Sequence, residues 1–298
     1  MMQSIWLAVA LACGAGAARG AEIDAKLRDS LEKTYEIWRQ AMIKHDVKMW
    51  NTVTASHRKM RIRNLIVSEK RKFPAAVFEL PAAPPSLKGL RAVQVKRNGP
   101  TAKAVYFGKI DFGIGAKVAD NLLVISFVAE GGHWRYDTAD FVNLAALPEV
   151  RRELKAGNDR YVKETKAFLP DGKVPPTPAA CPPAKYIAKV YVFCPGRDVK
   201  VQVNKISHHH FINAKDAEIV IGGARDGANE VQFAIRRAEG GKGNEAMTIR
   251  VYLMSEVEGI KPIKIFEYLV KQGETPKNFG TMHFTVDADV VARLMGRK

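Results

Sequence analysis

LPDGKVPPTPAACPP, residues 169–183, separates two stretches of unlike pattern. It carries six prolines and no apolar periodicity. Proline fixes its own φ and has no amide to donate, so the segment is predicted to run as an extended, stiff spacer. A chain of 298 residues suits two ordinary domains. The segment places them at 21–168 and 184–298.

Beyond the spacer the pattern has the period of two that belongs to strands. YIAKVYVF (186–193) leads to a turn at Cys194-Pro195-Gly196, and DVKVQVNKI (198–206) alternates with Val199, Val201 and Val203 on one face. Further strands are predicted at 217–221, 229–236, 247–254, 262–270 and 279–286. Seven short alternating strands separated by glycine turns predict an all-β sandwich of immunoglobulin-like kind, with a short helix over 287–296.

Before the spacer the chain opens with helices. Ile23, Leu27, Leu31, Thr34, Trp38, Ala41 and Met42 fall at three- and four-residue steps, which gives a helix over 23–44. His45-Asp46 breaks it, and Asp46 suits the N-cap of a second helix carrying Val47, Trp50 and Val53. Strands follow at 90–97, 103–110 and 122–129, with a hairpin signal at Asn98-Gly99. Glu130-Gly131-Gly132 turns the chain into a last strand, HWRYDTADF. Residues 147–168 read as a basic, polar helical lead into the spacer. Helices first and then a run of antiparallel strands is α+β logic, with helices on one face of a curved sheet.

YEIWRQAMIKHDVKMWNTV (35–53), followed by strands and EGGHWRYD (130–137), resembles the nuclear-transport-factor-two-like group, a cystatin-like cone. Trp38, Asp46, Trp50 and Gly131 to Tyr136 carry the resemblance, which covers residues 22–145. It implies a hollow between sheet and helices that in some members binds a small apolar molecule and in others, the ketosteroid isomerases, performs acid–base chemistry. Asp46, Tyr106, Asp111, His133 and Asp137 are the titratable candidates, and none maps residue by residue onto the isomerase set. Trp38, Trp50, Phe107, Phe127 and Trp134 are candidates to line the pocket. A structural role, as helix cap, turn and core, accounts for these residues better than a catalytic one.

The first twenty residues, MMQSIWLAVALACGAGAARG, have an apolar run and small residues at both positions a signal peptidase reads. They predict an exported protein, periplasmic or at the cell surface. Ala10-Leu11-Ala12-Cys13 loosely resembles a lipobox, which would instead put a lipid anchor on Cys13. The apolar run is too short to span a bilayer, and no later segment is long and apolar enough to do so. Formal charge is +16 with a pI near 9.7. That favours an anionic partner, while export argues against nucleic acid. Cys181 and Cys194 would form an even pair in an oxidising compartment, and a bridge across twelve intervening residues would add ~3 kcal/mol in the chain-entropy model.

Two surface features compete for function. SHRKMRIRNLIVSEKRKF (56–73) holds seven cations against Glu69: Arg58, Lys59, Arg61, Arg63, Lys70, Arg71 and Lys72. It offers a docking patch for an anionic surface or, equally, a solvated helix face. The run His208, His209, His210 places His208 and His210 on one side of a strand. With His283 they are a weak alternative metal set; a polar strand end explains them as well. P-loop, dinucleotide, nucleophile-elbow and zincin motifs are absent from the sequence, and no cofactor is implied. The reading is of a non-catalytic binding or scaffold protein of the bacterial envelope, contacting an envelope protein or an anionic polymer. The alternatives are a small-molecule enzyme in the cone and a metal-binding protein.

Overall fold

The computed structural model describes residues 23–111 and 118–297. The predicted signal segment and Cys13 lie outside the described residues. The chain divides into two compact units, one formed by residues up to Met60 with Val77–Pro178, the other by Arg61–Ala76 with Ala179–Lys298. The segment 61–76, read from sequence as part of the first domain, therefore groups with the second unit.

The first unit opens with α1 (Ala25–Lys44) and α2 (Val47–Val53). Asp24 caps α1 by accepting from the Leu27 amide. The helix ends where His45 turns left-handed at φ 54° and its amide reaches back to the Ala41 and Met42 carbonyls. Asp46 then caps α2 by accepting from the Met49 amide at 2.9 Å. Four strands follow: β1 (Arg91–Asn98), β2 (Thr101–Ile110), β3 (Ala119–Glu130) and β4 (His133–Val142). They pair in chain order as an antiparallel sheet. Asn98 pairs with Thr101, so the first hairpin turns on Gly99-Pro100, one residue later than the Asn-Gly signal suggests. Gly131 and Gly132 both take positive φ, as the two-residue turn between β3 and β4 requires.

Both faces of this sheet are covered. On one, Leu31 and Tyr35 of α1 pack with Ala104, Tyr106, Leu123, Ile125 and Phe127. On the other, Val93, Val105, Phe107 and Val124 pack with Leu154 of α4 (Pro148–Lys155) and Val162 of α5 (Arg160–Glu164). The expectation of helices on one face only is thus corrected. The 147–168 lead is broken into short helices whose few apolar residues form a third layer. That layer explains why β3 is buried on alternate residues of both kinds.

The second unit holds eight strands: β5 (Ile187–Phe193), β6 (Arg197–Val203), β7 (Ser207–Ile212), β8 (Lys215–Ile219), β9 (Gly227–Arg237), β10 (Met247–Met254), β11 (Ile263–Val270) and β12 (Phe279–Val286). They form two antiparallel sheets, β11-β10-β5-β8 and β12-β9-β6-β7. Alternating residues of both sheets meet in one core, with Val190, Val192, Ile249 and Val251 facing Val199, Val201, Val231 and Phe233. Burying each such side chain contributes about 1.5–3 kcal/mol. The sandwich is as expected, but the immunoglobulin-like connection is not. The first two strands, β5 and β6, lie in different sheets, whereas an immunoglobulin domain sets its first two side by side. The eighth strand, not counted among the seven expected, is β7, which carries the histidines. The expected terminal helix is α6 (Ala288–Leu294), capped by Asp287.

A helix α3 (Ser56–Ser68) begins in the first unit and has its remainder in the second. Glu130 holds its start, accepting from the Ser56 amide and hydroxyl at 2.9 Å each. A carboxylate there also suits the positive end of the helix dipole. Further along, Asn64 donates to the Ala179 carbonyl at 2.8 Å and accepts from the Cys181 amide at 3.0 Å. Ser68 accepts from the Gly222 amide at 2.8 Å. The proline-rich segment forms no helix or strand, and it is fastened rather than free. At its start, Asn98 donates to Pro170 and the Gly172 amide to Thr101.

Candidate functional site

The histidine run alternates in burial along β7. His209 points inward, with Nδ1 2.7 Å from Glu218 on β8 and Nε2 2.7 Å from the Ser207 hydroxyl. A carboxylate only accepts, so Nδ1 carries a proton, and in the neutral ring Nε2 accepts from Ser207. Ser207 Oγ in turn accepts from the Ile221 amide at 2.7 Å. The hydroxyl–imidazole–carboxylate order is that of a nucleophilic triad. Ser207, however, is fully buried, so the series is a structural clasp. It joins β7 and β8, which are edge strands of different sheets.

His208 and His210 point outward and are engaged by Gln202 at 3.3 Å and Asp198 at 2.7 Å. His283 sits on β12, at the opposite edge of the same sheet, with Glu230 at 3.8 Å. Three strand spacings of about 4.8 Å separate the two edges. The weak metal set His208, His210 and His283 is therefore not brought together. Among the described residues no group of three His, Cys, Asp or Glu is arranged to hold a metal.

The expected disulfide is also corrected: Cys181 and Cys194 are free and buried. Cys181 lies against α3, its sulfur 3.8 Å from Ser68 Oγ and from the Asn64 carbonyl. Cys194, past the end of β5, accepts from the Ala214 amide at 3.5 Å. Each thiol has its own niche on a different element. Burial pushes the Cys194 thiol above its ordinary value, which keeps it protonated and unreactive.

The basic run does not form one free patch. Lys59 donates to Asn51, Arg63 to Cys181, Lys70 to Glu256 and Arg71 to Glu69. Arg58 is half-buried, and Arg61 and Lys72 are exposed. Arg58 and Lys59 belong to the first unit and the other five to the second.

The aromatic candidates do not share a pocket. Trp50 and Phe127 are core, and Phe107 lies on the opposite face of the sheet from Phe127. Trp38 stacks on Tyr136 at 3.8 Å, and Trp134 lies under Arg97. The hollow expected between sheet and helices is filled by Leu31, Tyr35 and Tyr106. Burial drives both tyrosine hydroxyls well above their ordinary range. Tyr106 donates to Glu32 at 3.2 Å, Asp46 is a helix cap, and His133 is exposed.

One pair in the first unit went unread in the sequence. His57, on α3 and buried, places Nε2 2.8 Å from Asp137. A bulge in β4 gives Asp137 no partner across the ladder and turns it toward α3. His57 Nδ1 is buried without a partner among the described residues. Asp137 also borders a pocket of about 240 Å³ with Lys103, Ser126, Thr138 and Asp140. Burial raises the Asp140 carboxyl above its ordinary value.

The second unit presents a different kind of surface. Inward residues of β5 and β10 are core, so the alternate residues form the outer face of their sheet. Cross-strand register arranges that face in rows. Lys189, Tyr252 and Lys264 lie side by side on β5, β10 and β11, and Ile219 of β8 continues the row. The next row is Ala217, Tyr191, Arg250 and Glu267. The row after it is Lys215, Phe193, Thr248 and Leu269. Arg250 bonds Glu267 at 2.6 Å, Lys264 bonds the same carboxylate at 2.6 Å, and the Arg250 guanidinium lies 5.9 Å over the Tyr191 ring. These two cations, Lys264 first, hold Glu267 below its ordinary value of 4.5. The signal for this face was in the sequence: it is the polar half of the alternation in KVYVF and TIRVY.

No family model matches the chain, and no curated protein matches it. Comparison with solved structures returns the paired C2 domains of extended-synaptotagmin 2, 8% identical, covering 65% of this chain and 89% of that one, with a TM-score of 0.12. A likeness that slight carries no argument for fold or function.

Proposed function

We propose that this chain is an exported, non-catalytic binding protein of the bacterial cell envelope that contacts an anionic polymer or an envelope component bearing one. The observation that supports this reading is the outer face of the β11-β10-β5-β8 sheet. Four cations, Lys189, Lys215, Arg250 and Lys264, share it with one carboxylate, Glu267, and with three aromatic rings. By contrast, the basic run at 56–73 is divided between the two units. Coulomb attraction across an open face is screened by salt. The test is retention of envelope polymer by immobilised protein at low and high salt, alongside the triple variant Lys189→Gln, Lys215→Gln, Lys264→Gln. Retention should be lost at high salt and reduced in the variant; salt-independent retention equal in both proteins would sink the reading.

A second reading, an enzyme acting on a small molecule in the first unit, has one observation in its favour, the His57–Asp137 pair beside the 240 Å³ pocket. Its check is the magnetic resonance of the His57 imidazole protons during a titration with small polar fragments. Resonances that no fragment shifts would remove it.

A further inference from the structure

We infer that the outer face of the β11-β10-β5-β8 sheet is a glycan-binding platform, and that its ligand is an acidic polysaccharide, a chain of sugar rings carrying carboxylates. This rests on the reading of the protein as a binder of anionic polymer and names that polymer's class.

The register carries the inference. Cross-strand neighbours lie about 5 Å apart, and successive outward residues on one strand about 6.8 Å. Over the first two rows of that grid, rings and cations alternate along β5 (Lys189, Tyr191) and β10 (Tyr252, Arg250) and across them. Tyr252 stands between Lys189 and Lys264 in one row. In the next, Arg250 stands between Tyr191 and Glu267. A polymer that alternates flat apolar ring faces with anionic groups matches such a board. The C–H face of a sugar lies on a tyrosine ring, and its carboxylate meets the neighbouring ammonium or guanidinium. Phe193 and Leu269 extend the apolar ground at one end, and Leu269 is 54% exposed.

Glu267 decides between kinds of polyanion. It is fixed in place by Arg250 and Lys264, and two bonds leave lone pairs of its oxygens unused. A carboxylate on the edge strand β11, beside Arg250 of β10, accepts hydrogen bonds from sugar hydroxyls. It repels a phosphodiester backbone, which has no donor to offer it. Lysine and arginine beside it supply the donors a sugar carboxylate or ring hydroxyl accepts from. A lipid surface fits poorly, because Lys264 and Glu267 on β11 and Lys215 on β8 put charge on both edge strands, where an inserting apolar rim would have to lie.

The test uses the whole chain and four probes measured by calorimetry at low salt: polygalacturonate, neutral dextran, a thymidine oligonucleotide, and vesicles rich in phosphatidylglycerol. Polygalacturonate should bind and dextran should not. The pair Tyr191→Ala with Tyr252→Ala should weaken polygalacturonate by about tenfold or more, and Lys264→Gln with Lys189→Gln should do the same. Tyr252→Phe should retain binding, as should Lys200→Gln on the other sheet. If oligonucleotide or vesicles bind as tightly as polygalacturonate, or if the tyrosine pair is silent while the lysine pair is not, the glycan assignment fails and the broader anionic-polymer reading survives. If no anionic probe binds, both fail. Matching circular dichroism of each variant separates loss of contact from loss of fold.

Discussion

Three hydrogen bonds in series pass through the Ser207–His209–Glu218 clasp: Ile221 amide to Ser207, Ser207 to His209, and His209 to Glu218. Each buried polar atom in it has a partner, so removing the imidazole leaves a hydroxyl and a carboxylate wanting. His209→Ala should cost about 2–4 kcal/mol, measured by urea unfolding, whereas exposed His208→Ala should change stability little. A larger effect at His208 than at His209 would contradict the clasp. Cys181 and Cys194 belong to the same kind of reasoning. Both are buried thiols, so both should resist a thiol reagent in the native protein and react once it is unfolded, as peptide mass mapping can show. The sequence placed His209 opposite its neighbours correctly, because a strand alternates. It could not name Glu218 or Ile221 as partners, because those contacts depend on how β7 and β8 are set.

Among elements, the short helix α2 depends on its cap. Seven residues make a marginal helix, and Asp46 satisfies one of its free amides. Asp46→Ala should lower stability by about 1 kcal/mol in chemical denaturation, and Asp46→Ser by less. The face of the β11-β10-β5-β8 sheet has a pH signature. Glu267 has a folded value below its ordinary one, so it contributes stability above the unfolded value. That contribution is lost as pH falls through the folded one. Acidification below about pH 4 should therefore weaken the sheet, and Glu267→Gln should flatten that dependence in thermal melts recorded across the pH range. Elements of this size were well read: α1, α2, the hairpins and the sandwich strands follow from period and turn chemistry. β7 is read in the sequence only as a polar strand end and not counted among the sandwich strands, because its inward residues Ser207, His209 and Phe211 carry little apolar weight.

For the molecule as a whole, the unit boundary does not follow chain order. Residues 61–76 group with the β-sandwich, and Asn64 and Ser68 bond to Ala179, Cys181 and Gly222. A fragment beginning at Ala184 keeps Gly222 but lacks Asn64, Ser68, Ala179 and Cys181. It should melt below the sandwich transition of the intact chain, and Asn64→Ala in the intact chain should cost about 1–3 kcal/mol. Equal stability of fragment and whole would show that α3 adds nothing to the sandwich.

Period, turn and cap are short-range properties. Steric limits on φ and ψ, and hydrogen bonds a few residues long, already settle which segments are helix or strand and which side chains share a face; for that reason the α+β and all-β halves, Asp46 as a cap and the outward tyrosines and lysines were legible in the chain. Partner choice is long-range. A second helical layer over the first sheet, β5 and β6 in different sheets, two separate thiols and α3 shared between units each required segments far apart in sequence to compete for the same buried surface, and packing alone chose among them.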